Sequence, residues 1–433
     1  MVGISKLNQR DKLPTEVSFG DGANVDPFHR LRVSSTFTVL DLKQNNDNLP
    51  LYIWDAQTSG SGTTSTYNTY QASTTIAVAS STAGTRVRQS KMWGIYQPGK
   101  GELILCSFVF GTGVTGATKR VGYFWDLWGL YLQQSGSTIS VVRRTYNTGS
   151  VVNTVVNQSD WNIDKMDGSG VSGITLDFTK TQILIIDFEW LGVGSVRYGF
   201  VVDGDVFYCH IMKHTNNLTQ VYMSNPNAPI RYEISSDGTG GAASMVHLCS
   251  TIMSEGGQES TALTSYISRD GTPLTMAAQD LFAPILSIKL KPDRRCTRVR
   301  PLDISIMCTT NTNFEWAVFL NPTIASTDLA SYASITNSAL LFDFARTAGN
   351  LLTGGFKIAG GYGSSTGSIK LPSQGAVESF LTLGSYLTSA IASGVGGTAS
   401  AGDYAYDELV IGIKNIDANG GTCYGGIVVS EYC

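Results

Sequence analysis

Apolar and polar side chains alternate in steps of two along most of this chain, and the clearest stretch is residues 174–211. Ile183, Ile185 and Asp187 interleave with Leu184, Ile186 and Phe188. So short an apolar run predicts a strand covered on both faces. Leu191-Gly-Val-Gly-Ser195 interrupts it, after which Val196, Tyr198, Phe200 and Val202 alternate with Arg197, Gly199 and Val201, the period of a half-buried strand. Asp203-Gly204 then separates two β-branched and aromatic runs. A type I′ turn needs positive φ at both central residues, so this dipeptide predicts an antiparallel hairpin.

The same rhythm predicts strands at Ser73–Ala79, Arg86–Tyr96, Glu102–Phe110, Lys119–Trp125, Gly129–Gln134, Ile139–Tyr146, Thr219–Met223, Ile230–Ser235 and Ala243–Ser254. Gly, Pro or Asp-Gly punctuates most of them, as at Pro98-Gly99, Asp167-Gly168 and Asp237-Gly238. Many short strands with almost no 3.6-residue period are the signature of a sandwich or barrel. A break at Ser254–Gln258 precedes a second β region containing Ile285–Leu290, Leu302–Cys308, Phe314–Leu320, Glu408–Lys414 and Gly426–Glu431. One short helix is predicted within Ala376–Leu387, where Val377, Phe380, Leu383 and Leu387 recur at helical spacing. The expected fold is therefore all-β: an extended N-terminal arm over residues 1–50, whose one strong strand is Thr36–Asp41, a first jelly-roll-like β-sandwich over 51–255, and a second over 256–433. The second carries a long insertion at about 323–402, an interaction loop by its length.

Charge narrows the functional classes. Charged residues are only 15% of the chain and the formal net charge is −4, which leaves no electrostatic footprint for nucleic acid. The densest basic run, Lys289 to Arg300, reads as an edge strand and turn kept soluble by charge. Seven cysteines at 106, 209, 249, 296, 308, 423 and 433 show no paired spacing and read as reduced, structural residues. No apolar signal core follows Met1 and no run of 18 apolar residues occurs, so the expected chain is made in a cytoplasm and does not insert in a membrane.

Three constellations have chemical potential. His210 and His214 stand four apart, but they follow a strand and have no Glu between them and no third ligand nearby, so a polar turn is favoured over a metal site. Asp187 and Glu189 fall on one strand face, about 7 Å apart by strand rise, a spacing that a glycosidase pair can use. Hydrogen bonding to Arg143, Arg144 or Arg197 is the plainer expectation. Tyr123, Trp125, Trp128 and Tyr131 form the densest aromatic group; Trp125 and Trp128 are the candidate glycan contacts, weighed against core or interface anchors. Nothing marks a phosphate loop, a serine-nucleophile elbow or a dinucleotide fingerprint, and no catalytic residue, metal or cofactor is expected.

Asp26-Pro-Phe-His-Arg30-Leu-Arg32-Val-Ser34 opens a series of long landmarks. It continues through Arg86-Val-Arg88-Gln89, Tyr96-Gln-Pro-Gly-Lys100, Asp160-Trp161-Asn162-Ile-Asp164-Lys165, Asp187-Phe-Glu-Trp-Leu-Gly-Val-Gly194 and Pro229-Ile-Arg-Tyr-Glu-Ile234. Over about residues 20–270 the chain resembles a family of tailed-bacteriophage virion structural proteins, common in phages of aquatic bacteria. The resemblance implies a virion component and carries over no catalytic residues. The expected function is a non-enzymatic subunit forming a symmetric homo-oligomer and contacting other virion proteins, at the tail, baseplate or fibre base. Phe28, Arg30 and Arg32 are candidate residues of the assembly arm. A capsid-surface decoration or vertex protein is one alternative, and a carbohydrate-binding module engaging host surface glycans is the other.

Overall fold

The computed structural model describes residues 35–45, 47, 53–257, 262–276, 281–291, 293–294, 296–309, 313–325, 332–344, 351–364, 369–370, 385–387, 404–406, 408–417 and 420–432. The chain divides into two compact units, one of Met1–Glu259 with Leu387–Asp403, the other of Ser260–Tyr386 with Tyr404–Cys433. The fold is all-β and built of antiparallel sheets, and among the described residues no helix is long and apolar enough to cross a membrane.

The N-terminal unit contains β1 (Thr36–Leu42), β2 (Trp54–Gly60), β3 (Thr63–Asn68), β4 (Ser73–Val78), β5 (Ala83–Ser90), β6 (Glu102–Val109), β7 (Ala117–Phe124) and β8 (Gly129–Ser135). It continues with β9 (Thr138–Thr145), β10 (Val152–Asn157), β11 (Gln182–Phe188), β12 (Ser195–Val202), β13 (Asp205–Lys213), β14 (Ile230–Asp237) and β15 (Ala243–Glu255). An eight-stranded sheet runs β13-β12-β11-β6-β15-β4-β3, with β1 also paired to β15; a seven-stranded sheet runs β10-β9-β8-β7-β14-β5-β2. Strand β6 shows why the sheets pack. Ile104, Cys106 and Phe108 are fully buried while the residues between them are half-buried, so one face enters the core. The facing sheet contributes Val121, Tyr123, Leu132, Val141, Ile230, Tyr232 and Ile234 to the same cluster. Two side chains cross between the layers: Tyr198 donates its hydroxyl to the Val142 carbonyl at 3.0 Å, and Tyr232 to that of Ser107 at 3.1 Å.

The Asp203-Gly204 turn has φ of 52° and 91°, and Val202 pairs with Asp205 across it, as a type I′ hairpin requires. Arg197 departs from the half-buried expectation, because residues 196–200 are all buried. Thr219–Met223 is a loop, not a strand; Tyr222 is buried there and donates to the Glu189 carbonyl at 2.8 Å. Strands β2, β3 and β10 lack the strong apolar alternation that marks the others, and pairing supplies what their own side chains do not. Strand β1, the one strong pattern of the arm, lies along Ser250–Glu255 of β15, extending its own sheet.

The C-terminal unit is a second pair of sheets. Five strands, Ala262–Ser268, Leu274–Met276, Arg298–Cys308, Ile369–Lys370 and Gly421–Tyr432, form one. Six others, centred on Ala283–Leu290, Glu408–Asn415 and Asn313–Leu320, form the second. The layers approach closely at Gly425, where a Cβ would sit 2.3 Å from Ile285 Cγ2. Within the 323–402 stretch, the described residues include the strands Thr323–Ala325, Leu340–Asp343, Leu351–Thr353 and Phe356–Ser364. Ser385–Leu387 is a strand paired with Tyr404–Tyr406, which corrects the end of the predicted helix; residues 376–384 lie outside the described residues.

Two charge and cysteine expectations change. The basic run is only partly at an edge: Lys289 lies on Ala283–Leu290, which is paired on both sides, whereas Arg298 and Arg300 pair with Gly421–Tyr432 alone among the described residues. Its lysines are spent locally: Lys289 Nζ sits 3.8 Å from the centroid of Tyr332, and Lys291 donates to the carbonyls of Ile335 and Ser338. Cys308 and Cys423 are direct cross-strand partners and form a disulfide across 115 residues of sequence, so the reading of all cysteines as reduced fails at this pair. Cys106 and Cys209 are buried thiols, with burial pushing Cys106 up to about 12, as expected of small hydrophobic fillers. Calorimetry should show that reducing the disulfide, or replacing both residues by Ser, costs the C-terminal unit about 2–5 kcal/mol and leaves the N-terminal unit's transition in place.

Candidate functional site

The seven-stranded sheet has a second face, turned away from the core, where alternation places Phe124, Tyr131 and Val142 as a small buried cluster beside Arg120, Arg231 and Glu233. Glu233 sits on β14 opposite Arg120 of β7. Its carboxylate pairs with Arg120 and accepts from Arg231 at 2.5 and 3.0 Å. Arg231 also reaches Asp126 at 2.8 Å and lies 5.4 Å from the Phe124 centroid. Burial pushes the Glu233 carboxyl up, but Arg231, Arg120 and Arg144 overwhelm it and hold it at about 2. So acidic a group carries no proton at ordinary pH and is a poor base, which makes this cluster unsuited to acid–base catalysis. It is a fastener.

The aromatic group is tied to that fastener. Arg144 donates to the carbonyls of Trp125 and Asp126 and to the Tyr131 hydroxyl, fixing the β7–β8 loop. Trp125 is 2% exposed, and its ring lies 5.5 Å from Trp93 and 4.7 Å from Trp128. Trp128 is half-buried and donates Nε1–H to the Asn227 carbonyl at 2.9 Å. Trp125 is therefore too deeply buried to serve as the expected exposed glycan contact, whereas Trp128 keeps part of its surface open. Three indoles pack on one another because each large apolar body gains more from mutual burial than from water.

The carboxylate pair also resolves as structure. Asp187 is wholly buried, pairs with Arg197 at 2.6 Å and accepts from the Tyr208 hydroxyl at 2.7 Å. Arg197 in turn stacks 4.5 Å from the Tyr208 centroid. Of the three arginines expected to satisfy this carboxylate, Arg197 does so because it is Asp187's direct partner in the β11–β12 register. Glu189 lies beyond the end of β11, with its backbone N–H on the Ser195 carbonyl. The two residues do not form an open acidic pair.

His210 accepts the backbone N–H of Asn162 at 3.2 Å through Nδ1. His214 donates Nδ1–H to the Gly194 carbonyl at 2.5 Å and stacks on Tyr222 at 4.1 Å. Burial, with a smaller contribution from Arg143, lowers His214 to about 4 against the opposing pull of the Gly194 carbonyl, so it is neutral at ordinary pH. Among the described residues no group of three His, Cys, Asp or Glu is placed to hold a metal ion. Phe28, Arg30 and Arg32 lie outside the described residues.

One open concavity belongs to the C-terminal unit, a basin of about 210 Å³ on the five-stranded sheet whose lining includes Tyr266, Asp270, Ser305, Met307 and Tyr424. Sequence patterning missed it, because Ala262–Ser268 was not among the predicted strands. The available signal was the polar–aromatic alternation of Thr264, Tyr266 and Ser268.

No family model and no curated protein matches this chain. Among solved structures, it is similar to a protein of unknown function from Shewanella oneidensis MR-1, at 9% identity over 55% of this chain and 94% of the other, with a TM-score of 0.33. A CBM2 module of the evolved Dit of Lactobacillus casei BL23 phage J-1 aligns at 8% identity over 52% and 99%, with a TM-score of 0.32. A legume lectin-like domain from Entamoeba histolytica aligns at 10% identity over 51% and 98%, with a TM-score of 0.29. Likenesses this distant say nothing of ligand or activity.

Glu233 gives a pH-dependent test. Its carboxyl is depressed in the folded protein, so its stabilisation is complete above the ordinary glutamate value of 4.5 and is lost as pH falls through about 2. Glu233→Gln should cost about 1–3 kcal/mol at neutral pH, because Arg120 and Arg231 lose the carboxylate they share while Arg231 keeps Asp126. In denaturant titrations it should also flatten the acid limb between those two pH values.

Proposed function

We propose that this chain is a non-enzymatic structural subunit of a tailed-bacteriophage particle, assembling as a symmetric oligomer through its N-terminal arm and the edges and faces of its sandwiches. The observation that carries the reading is the character of two strands that end their sheets. Strand β10 ends the seven-stranded sheet and β3 the eight-stranded one. Neither contains Lys, Arg, Asp, Glu or Pro. Monomeric β proteins usually guard such edges with charge, proline or a bulge, because bare backbone donors and acceptors invite another strand. Strand β10 pairs with β9 in unbroken register and leaves Val152 and Val155 44% and 50% exposed. An edge left regular and uncharged, with two exposed valines, suits a neighbouring subunit.

The rest of the first unit supports a structural role. Two of its buried carboxylates, Asp187 and Glu233, are consumed by arginines, and Trp125 of its densest indole cluster is buried. The landmarks from Asp26 to Ile234 resemble phage structural proteins, and a position at the tail, baseplate or fibre base is the reading we favour over the capsid surface.

Native mass spectrometry of the full chain should give a single closed oligomer. Val155→Lys should weaken its association by roughly tenfold or more, the equivalent of about 1.4 kcal/mol at the contact, while leaving the melting temperature of the isolated subunit unchanged. A chain that stays monomeric, with Val155→Lys indistinguishable from it, would overturn the proposal. Locating the chain in an electron-microscopy map of the particle decides between tail and capsid.

A further inference from the structure

The outer face of the five-stranded sheet in the C-terminal unit has a gap at its centre. Register places Tyr266 opposite Val428 and Ser268 opposite Gly426 on one side, and Ser305 opposite Gly426 and Met307 opposite Tyr424 on the other. Gly425 and Gly426 are crowded from different directions. A Cβ at Gly425 would meet Ile285 of the facing sheet, whereas a Cβ at Gly426 would lie 2.5 Å from Tyr266 Oη and 2.8 Å from its Cε2 and Cζ. The distal half of the Tyr266 ring therefore lies directly on bare backbone. Yet the residue remains 63% exposed, so much of its surface faces solvent.

Beside this ring the chain turns at Asp270-Gly271, both at positive φ, and the turn forms a wall. The basin of about 210 Å³ lies between that wall, Tyr266, Tyr424 and Met307. Arg269 presents no open guanidinium donor in the lining. It is 4% exposed, and its guanidinium donates to the carbonyls of Thr272 at 2.8 Å and Ile285 at 2.7 Å. The rest of the lining includes Tyr266, Tyr424, Met307, Ser305, Asp270 and Ser268, whose Oγ accepts the Asp270 N–H at 3.2 Å.

We propose that this basin binds one pyranose ring of a neutral glycan, with an apolar C–H face of the sugar against Tyr266 and its hydroxyls directed to Asp270 and the serines. Several features select that ligand class. The volume is below the roughly 300 Å³ of pockets that hold drug-sized molecules, and suits a single ring. Asp270 is an acceptor-only group and repels anions, while the one guanidinium in the lining is already committed to carbonyls. Aromatic surface beside hydroxyl and carboxylate groups matches a ring that is apolar on one face and hydroxylated at its rim. Covering Gly426 explains why Tyr266 leans across the strand, but it does not require the wall at Asp270 or the adjacent Tyr424 and Met307. The proposal concerns the C-terminal unit and stands apart from assembly through β10 and β3.

The test is saturation-transfer difference NMR on the full chain with the methyl glycosides of glucose, galactose, N-acetylglucosamine and rhamnose, and with N-acetyl-arginine amide as a cationic probe. At least one glycoside should receive saturation on its ring C–H protons. Tyr266→Phe should retain that signal and Tyr266→Ala abolish it. Asp270→Asn should weaken binding by about tenfold or more; asparagine tolerates the left-handed backbone at this turn, so the variant stays folded even where Tyr266→Ala does not. Saturation of none of the glycosides would overturn the proposal. So would an unchanged signal in Asp270→Asn, or binding of the arginine amide alone.

Discussion

The N-terminal unit depends on one requirement, that two sheets of eight and seven strands bury their aromatic-rich inner faces against each other. Tyrosine meets this requirement only if its hydroxyl finds a partner when the ring goes inside. Tyr198 and Tyr232 do so by reaching carbonyls of the opposite layer, and Tyr123 by reaching the Pro226 carbonyl at 2.9 Å. The rings thus supply burial while their hydroxyls link layers and loops. This is how a chain with few charges buries these three tyrosines between two large sheets with each hydroxyl partnered.

The outer faces extend the same economy. Arg197 and Asp187 are both 1% exposed or less, and Arg231 and Glu233 are nearly as deep. An ion removed from water needs a close counter-ion and further hydrogen bonds. Cross-strand register provides them: Arg197 stands opposite Asp187, and Arg120 opposite Glu233. Carboxylates held this way are fasteners of sheet geometry, and that is why Asp187 and Glu189 lose their resemblance to a hydrolytic pair. His214, neutral and stacked on Tyr222, belongs to the same interior.

The C-terminal unit arranges its polarity differently. Gly425 and Gly426 let the facing sheet approach from one side and Tyr266 lie down on the other. The disulfide joins Cys308 to Cys423, one residue from Tyr424, and so ties the two central strands beside the basin. A rigid backbone under a shallow opening is what a small ligand site requires, because it need not be ordered when the ligand arrives.

Much of the architecture was legible in the chain. Period-two alternation located β4, β6 to β9 and β11 to β15 in unit one, and Asp203-Gly204 specified its own turn, because those signals depend only on local backbone sterics and on which side chains avoid water. Strands β2, β3 and β10 were not legible, since Thr, Ser and Asn become strand residues only when a neighbour offers its hydrogen bonds. The arginine that would satisfy Asp187, the burial of Trp125 and the Cys308–Cys423 bond were likewise decided by tertiary structure. Each depends on a contact between residues brought together by strand register or loop packing. Sequence determined the all-β class and the periodic faces; folding alone determined which of those faces would be covered and which would stay open.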